Sequence, residues 1–197
     1  MKIVVVSDTH VPDRAASLHP ALLGELQRSK PDLILHAGDI STPGVLKALG
    51  RIAPVKAVMG NRDWLFAGKL KGFLELNIHG VNIALTHGHL NFLTYWWDKA
   101  NYMFRGYNRD RIVRRLELAF PKADLVVFGH THRAENYRQN GKLFFNPGSA
   151  TIGDIWVHTR SYGILEIGED HSVQSRIIPL AGFHLVNRQW EAQDDQT

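Results

Sequence analysis

Short runs of β-branched and aliphatic residues recur along the first third of the chain, at residues 2–7, 33–37 and 55–59. Continuous apolar runs of this length predict strands covered on both faces. Between them, residues 20–30 and 43–51 read as amphipathic helices, each opened by a proline, Pro20 or Pro43, in a first-turn position. Strand–helix–strand–helix–strand order predicts βαβ units and a largely parallel sheet. Further on, residues 75–78 and 81–86 flank His79-Gly80, while residues 135–138 and 142–145 flank Asn140-Gly141. Both dipeptides suit hairpin turns, and Asn-Gly is a strong type I′ signal because it accepts positive φ at both central positions. Residues 108–120 predict an arginine-rich helix ended by Pro121, residues 125–128 a further buried strand, and residues 162–167 and 173–179 antiparallel strands. From Asn187 the pattern turns polar, which predicts one domain over residues 1–186 and a frayed tail over 187–197.

A chain of 197 residues with 44% hydrophobic and 21% charged content has enough material for one proper core. The formal net charge of +4 favours an anionic substrate but is too small to argue for nucleic acid. There is no cysteine, which excludes disulfides, thiolate zinc sites and a cysteine nucleophile. The apolar run at the N-terminus is too short for a secretory signal, and no stretch approaches bilayer-spanning length, so the expected location is the cytoplasm. Eleven histidines are the unusual feature of the composition.

Several of those histidines fall where strands end. The first strand runs into Asp8-Thr9-His10, the second into Gly38-Asp39, and the third into Gly60-Asn61-Arg62-Asp63. Later strands run into Thr86-His87-Gly88-His89 and Gly129-His130-Thr131-His132. In α/β folds ligands gather outside the carboxyl ends of strands, so these tips should converge. Carboxylate, amide and imidazole donors without sulfur suit manganese, zinc, iron, nickel or cobalt, and their nitrogen content argues against calcium. These strand ends offer seven candidate ligands, too many for one tetrahedral site. Two cations sharing a carboxylate would use them all and leave positions for water, an arrangement suited to in-line displacement at phosphorus. Taken singly, each motif is more often an ordinary turn or helix cap than a metal site.

The ordered set Asp8-x-His10, Gly38-Asp39, Gly60-Asn61-x-Asp63, His87-Gly88-His89, Gly129-His130-Thr131-His132 and Asn146-Pro147-Gly148-Ser149 closely resembles the calcineurin-like metallophosphoesterases. Their small single-domain prokaryotic phosphodiesterase branch matches best, over roughly residues 1–178. The resemblance implies a four-layer α/β/β/α sandwich with a dinuclear site at the strand ends. It further implies Asp8, His10 and His132 on one metal, Asn61, His87 and His130 on the other, and Asp39 bridging. The activity implied is hydrolysis of small phosphodiesters, nucleotides among them, by metal-activated hydroxide, with manganese the first expectation. Larger members carry histidine directly after the motif asparagine, where it can protonate the leaving group; here that residue is Arg62. Arginine is no acid near neutral pH but can grip phosphate oxygens. His89 is the local candidate for the acid that protonates the leaving group or for a substrate contact, and Asp63 for hydrogen-bonded support of Asn61 or a histidine. His36 is expected behind the ligands or in the core, and His19, His79, His158, His171 and His184 on the surface or in packing.

Residues 91–107 concentrate Phe92, Tyr95, Trp96, Trp97, Tyr102, Phe104 and Tyr107 just past the His87 motif. Phe92, Trp96, Ala100, Met103 and Tyr107 recur at helical spacing, predicting an amphipathic helix that packs on the core, forms a homodimer interface or walls the substrate site. Rival functions on the same fold are a phosphomonoesterase, a nuclease, or a non-catalytic protein-interaction scaffold like the retromer subunit, whose ligand set is degraded. The complete ligand set here favours an enzyme.

Overall fold

The computed structural model describes residues 1–63, 69–90, 94, 96–97, 103–104, 106–153 and 159–193. The chain opens with β1 (Lys2–Val6), α1 (Leu22–Ser29), β2 (Leu33–His36), α2 (Pro43–Leu49) and β3 (Val55–Ala57). It continues with β4 (Phe73–Ile78), β5 (Val81–Thr86), α3 (Arg109–Ala119), β6 (Leu125–Val127), β7 (Ala134–Gln139) and β8 (Lys142–Pro147). β9 (Arg160–Ile167), β10 (Val173–Leu180), β11 (Phe183–Val186) and β12 (Gln189–Ala192) complete it. One sheet has the order β10-β9-β1-β2-β3, with β1, β2 and β3 parallel. The other has the order β4-β5-β6-β8-β7, with β5, β6 and β8 parallel.

Alternation along each strand sorts the side chains into three apolar layers. Ile3, Val5, Leu33 and Leu35 of the first sheet meet Ile83, Leu85, Leu125, Val127 and Phe145 of the second in a core between the sheets. The intervening Val4, Val6 and Ile34 face the other way, onto Leu22 and Leu26 of α1 and Val45 and Leu49 of α2. Ala84, Val126 and Phe144 cover the outer face of the second sheet beneath Ile112, Val113 and Leu116 of α3. The layers are helix, sheet, sheet and helix, as expected. Each fully buried aliphatic side chain here stabilises the fold by about 1.5–3 kcal/mol.

Both tight turns adopt the backbone that the sequence predicts: φ is 47° and 79° at His79-Gly80, and 51° and 79° at Asn140-Gly141. Proline opens just one of the two helices. Pro43 follows the cap Thr42, whose hydroxyl accepts from Gly44 N at 3.4 Å. Pro20 lies outside α1, because Leu22 N bonds His19 O at 2.9 Å and Ala21 N bonds His19 Nδ1 at 3.2 Å, forming a separate turn before the helix.

The expected fraying from Asn187 gives way to pairing of β12 with β11. The physical reason is Trp190, whose indole N–H donates to Ser17 O at 2.9 Å while its ring packs edge-on against buried His19 at 4.8 Å. Residues 194–197 lie outside the described residues. Of the aromatic segment, Phe92, Tyr95, Ala100, Tyr102 and Arg105 also lie outside them. Trp96 and Met103, expected on a buried face, are 51% and 73% exposed, whereas Tyr107 packs against the apolar layer under α3. No helix among the described residues is long and apolar enough to cross a membrane.

Candidate metal centre

The carboxyl ends of β1, β2 and β3 in one sheet and of β5 and β6 in the other deliver the predicted ligands to one place. Asp8 Oδ1 lies 3.3 Å from His132 Nε2, 3.8 Å from His10 Nε2 and 4.0 Å from His87 Nε2. His10 Nε2 and His132 Nε2, from residues 122 positions apart, stand 3.2 Å from each other. Asn61 Oδ1 lies 3.2 Å from both His87 Nε2 and His130 Nδ1. Asp39 spans the two groups, with Oδ2 3.7 Å from His10 Nε2 and Oδ1 3.5 Å from His87 Nε2. All seven sequence-predicted ligands are therefore brought together. Asp8 is fully buried, yet its Oδ1 has no hydrogen-bond partner among the described residues. Buried carboxylate oxygens are normally satisfied, and those that are not call for an explanation such as an ion. The atoms around it are all acceptor-capable nitrogens and oxygens, a donor set that fits borderline divalent cations.

The backbone bends sharply to achieve this. Asp8, His10, Asp39, His130 and His132 all have positive φ, at 54°, 47°, 55°, 72° and 59°. Asp and His tolerate the left-handed region better than most residues, but so many together mark strain held by the surrounding structure. Close approach of loops requires glycine at two points. A Cβ on Gly60 would lie 2.2 Å from Asp39 N, and one on Gly129 would lie 2.0 Å from Ser7 Oγ.

Behind the cluster, hydrogen bonds fix several of the donors. His87 Nδ1 pairs with Ala37 O at 2.7 Å; as the donor there it turns its Nε2 lone pair inward. Ser7 Oγ donates to Asp8 Oδ2 at 2.5 Å, and His130 N donates to the same oxygen at 3.1 Å. Asp63, expected to steady Asn61 or a histidine, instead accepts three backbone N–H groups: Ile40 at 2.9 Å, Ser41 at 2.7 Å and Gly60 at 2.8 Å. It thereby ties the Asp39 loop to the Asn61 loop. Buried His36 accepts from Gly38 N at 3.2 Å and meets Thr9 Oγ1 at 3.2 Å, linking the first two ligand loops. Asn146 reaches Gly129 O at 3.1 Å and Thr131 Oγ1 at 3.0 Å, and Ser149 Oγ donates to Asp8 O at 2.9 Å. The Asn-Pro-Gly-Ser motif flagged these last two residues without assigning them a task. Asp13 gave no signal at all, yet its Oδ2 lies 3.2 Å from Arg62 Nη1 and 3.9 Å from His10 Nδ1.

Residues 1–170 match the calcineurin-like phosphoesterase superfamily domain. The chain belongs to this superfamily. It is 32% identical to a probable metallophosphoesterase of Methanothermobacter thermautotrophicus, over 77% of this chain and 78% of that protein. A probable metallophosphoesterase of Methanocaldococcus jannaschii is also 32% identical, over 91% of this chain and 82% of that protein. Among solved structures, wild-type Vps29 of Entamoeba histolytica complexed with zinc superposes with a TM-score of 0.69 at 25% identity, covering 91% of this chain and 99% of that one.

Within this superfamily fold the electrostatics of the cluster are uneven. Burial alone would raise Asp8, but His132, His87 and His10 outweigh it and hold the carboxyl well below the usual range. Burial likewise opposes ionisation of Asp39, yet His87 draws it down to about 2. His87 is opposed by burial too, but the Asp39 carboxylate raises it to about 9. Burial presses His130 down to about 3 and lowers His10. Without metal, the Asp8 and Asp39 carboxylates thus face the His87 imidazolium. His89 sits against this group, with ring centroids 5.4 Å from His87 and 5.6 Å from His130. Burial and the His87 charge press it down to about 4, so it is neutral near pH 7. A ligand nitrogen of His89 can also join those of His87 and His130 around one ion.

Proposed function

We propose that this superfamily member is a dinuclear metal-dependent phosphodiesterase acting on small phosphodiesters, nucleotides among them. One observation carries the reading: buried Asp8 Oδ1, without a hydrogen-bond partner among the described residues, faces three imidazole nitrogens across 3.3–4.0 Å. Asp8, His10 and His132 would hold one cation and Asn61, His87 and His130 the other. Asp39 would be shared, which is supported by its two oxygens facing opposite halves of the cluster. The donor set suits manganese first, with nickel, zinc, iron or cobalt as alternatives. Two such ions would acidify a shared water and neutralise charge developing on the phosphoryl oxygens.

The chain's own residues supply orientation. The Ala37 carbonyl sets the His87 ring, and Asp63 sets the spacing of the Asp39 and Asn61 loops. Arg62, anchored by its backbone N–H on Asp39 Oδ1 at 2.8 Å, keeps its guanidinium half-exposed beside Asp13, within reach of a phosphate oxygen. His89, neutral near pH 7, hydrogen-bonds the substrate. With arginine in place of a resident acid, the site favours diesters whose leaving group departs without a strong acid.

A second reading, a protein-interaction scaffold, takes its support from the likeness to Vps29. One assay separates the two. Protein stripped by chelator and restored with manganese, nickel, zinc or magnesium is offered bis-p-nitrophenyl phosphate and p-nitrophenyl phosphate. Metal-restored cleavage favouring the diester is expected. Cleavage of neither ester, in protein shown to bind two ions per chain, would overturn the enzymatic reading.

A further inference from the structure

A cleft lined by the residues that follow His132 has no role in the reading above. It begins where the ligand loop ends: Arg133 follows His132, and β7 then runs along the edge of the second sheet. Arg133, Glu135 and Tyr137 line the cleft together with Tyr107, Arg109 and Asp110 around the start of α3. Its volume is about 680 Å³, within the range of roughly 300–1,000 Å³ typical of small-molecule sites.

Its polar groups are held in set positions. The Arg133 guanidinium lies 4.5 Å from the Tyr107 ring centroid, and that of Arg109 lies 4.8 Å from the Tyr137 ring centroid. Tyr137 also stacks on Phe144 at 5.7 Å, and the Tyr107 hydroxyl donates to Glu135 Oε1. These contacts leave Glu135 Oε2 and the Tyr137 hydroxyl buried without a hydrogen-bond partner among the described residues. An unsatisfied carboxylate oxygen and an unsatisfied hydroxyl beside two guanidinium groups match a ligand that donates from hydroxyls and carries anionic charge.

We propose that this cleft is the subsite for one alcohol substituent of the diester and that it selects a sugar or polyol. This rests on the phosphodiesterase reading for its place in the reaction, although the binding itself does not. Glu135 Oε2 accepts from one hydroxyl of the ligand, and the Tyr137 hydroxyl pairs with a second. Arg133, the residue after His132, meets the phosphate end. Aryl diesters offer none of the matching hydroxyls.

The test uses the full-length, metal-loaded chain with Glu135→Gln and, separately, Tyr137→Phe, which keeps the ring stacked on Phe144. Two ratios are measured: kcat/KM for glyceryl p-nitrophenyl phosphate over bis-p-nitrophenyl phosphate, and affinity for ribose 5-phosphate over inorganic phosphate by calorimetry. Loss of a buried hydrogen bond to the carboxylate should lower both ratios roughly tenfold or more. Turnover of both diesters with both ratios unchanged in both variants overturns the subsite while leaving the phosphodiesterase reading intact. No turnover by the unaltered protein, with the ribose 5-phosphate preference present and lost in the variants, supports the cleft while removing the enzymatic reading.

Discussion

Replacing Asp63 tests whether the cluster depends on a residue that contributes no ligand. Its carboxylate is buried, with Oδ1 accepting from Ile40 N at 2.9 Å and Ser41 N at 2.7 Å and Oδ2 accepting from Gly60 N at 2.8 Å. Asparagine has the same shape and keeps the two bonds on its oxygen, weakened by loss of charge. Its NH2 group, however, would face the Gly60 N–H, donor against donor. One charge-assisted bond lost and two weakened amounts to about 2–4 kcal/mol. Alanine strands all three buried N–H groups and should cost more, about 3–6 kcal/mol, a large part of a total stability of about 5–15 kcal/mol. For a domain of this size the asparagine variant should melt about 4–16 °C lower. The assay is urea unfolding of metal-free protein, followed by metal titration. Metal affinity should fall about 10–100-fold, because the Asp39 and Asn61 loops lose their tie. Asp63→Asn within about 0.5 kcal/mol of the parent, with metal affinity unchanged, would refute the reasoning.

Gly129→Ala places a Cβ 2.0 Å from Ser7 Oγ and 2.8 Å from Asp8 Oδ2, and should cost about 1–3 kcal/mol along with metal binding. Gly72→Ala, which meets nothing within 4 Å, should be neutral in the same unfolding and titration experiments; equal effects of the two would contradict the close-approach argument. Chelator should lower the melting temperature: at about 100 times Kd, bound metal adds about 2.7 kcal/mol, or about 5–11 °C, and an identical melt with and without metal would count against the site. In metal-free protein, buried His36 and His19 are held down to about 3 and about 4. Their contribution is full above pH 6.5 and is lost as pH falls through those values. His87, raised to about 9, contributes fully below pH 6.5 and loses its part as pH rises through about 9. Urea midpoints should therefore peak near pH 6.5. A steady rise from there to pH 9 would show that His87 carries no such proton.

The sequence by itself determined whatever rests on local periodicity and residue chemistry. Apolar runs marked β1, β2 and β6, and Asn140-Gly141 set its own turn, since few other pairs accept two positive φ values. The donor types at five strand ends named the metal chemistry before any distance was known. Local pattern failed where a distant contact outweighed it. Trp190 turned a polar run into a strand by reaching Ser17, and the turn on His19 moved the start of α1 past Pro20. Tertiary structure alone decided that β9 pairs with β1, that Asp63 joins two ligand loops, and that Asp13 stands beside Arg62. It also placed Glu135 and Tyr137 in a cleft beside the ligand loop. The physical reason is that metal donors and their supports must match to within a few tenths of an ångström. Here that match is made between residues as far apart as His10 and His132, by the register of two packed sheets, which periodicity does not encode.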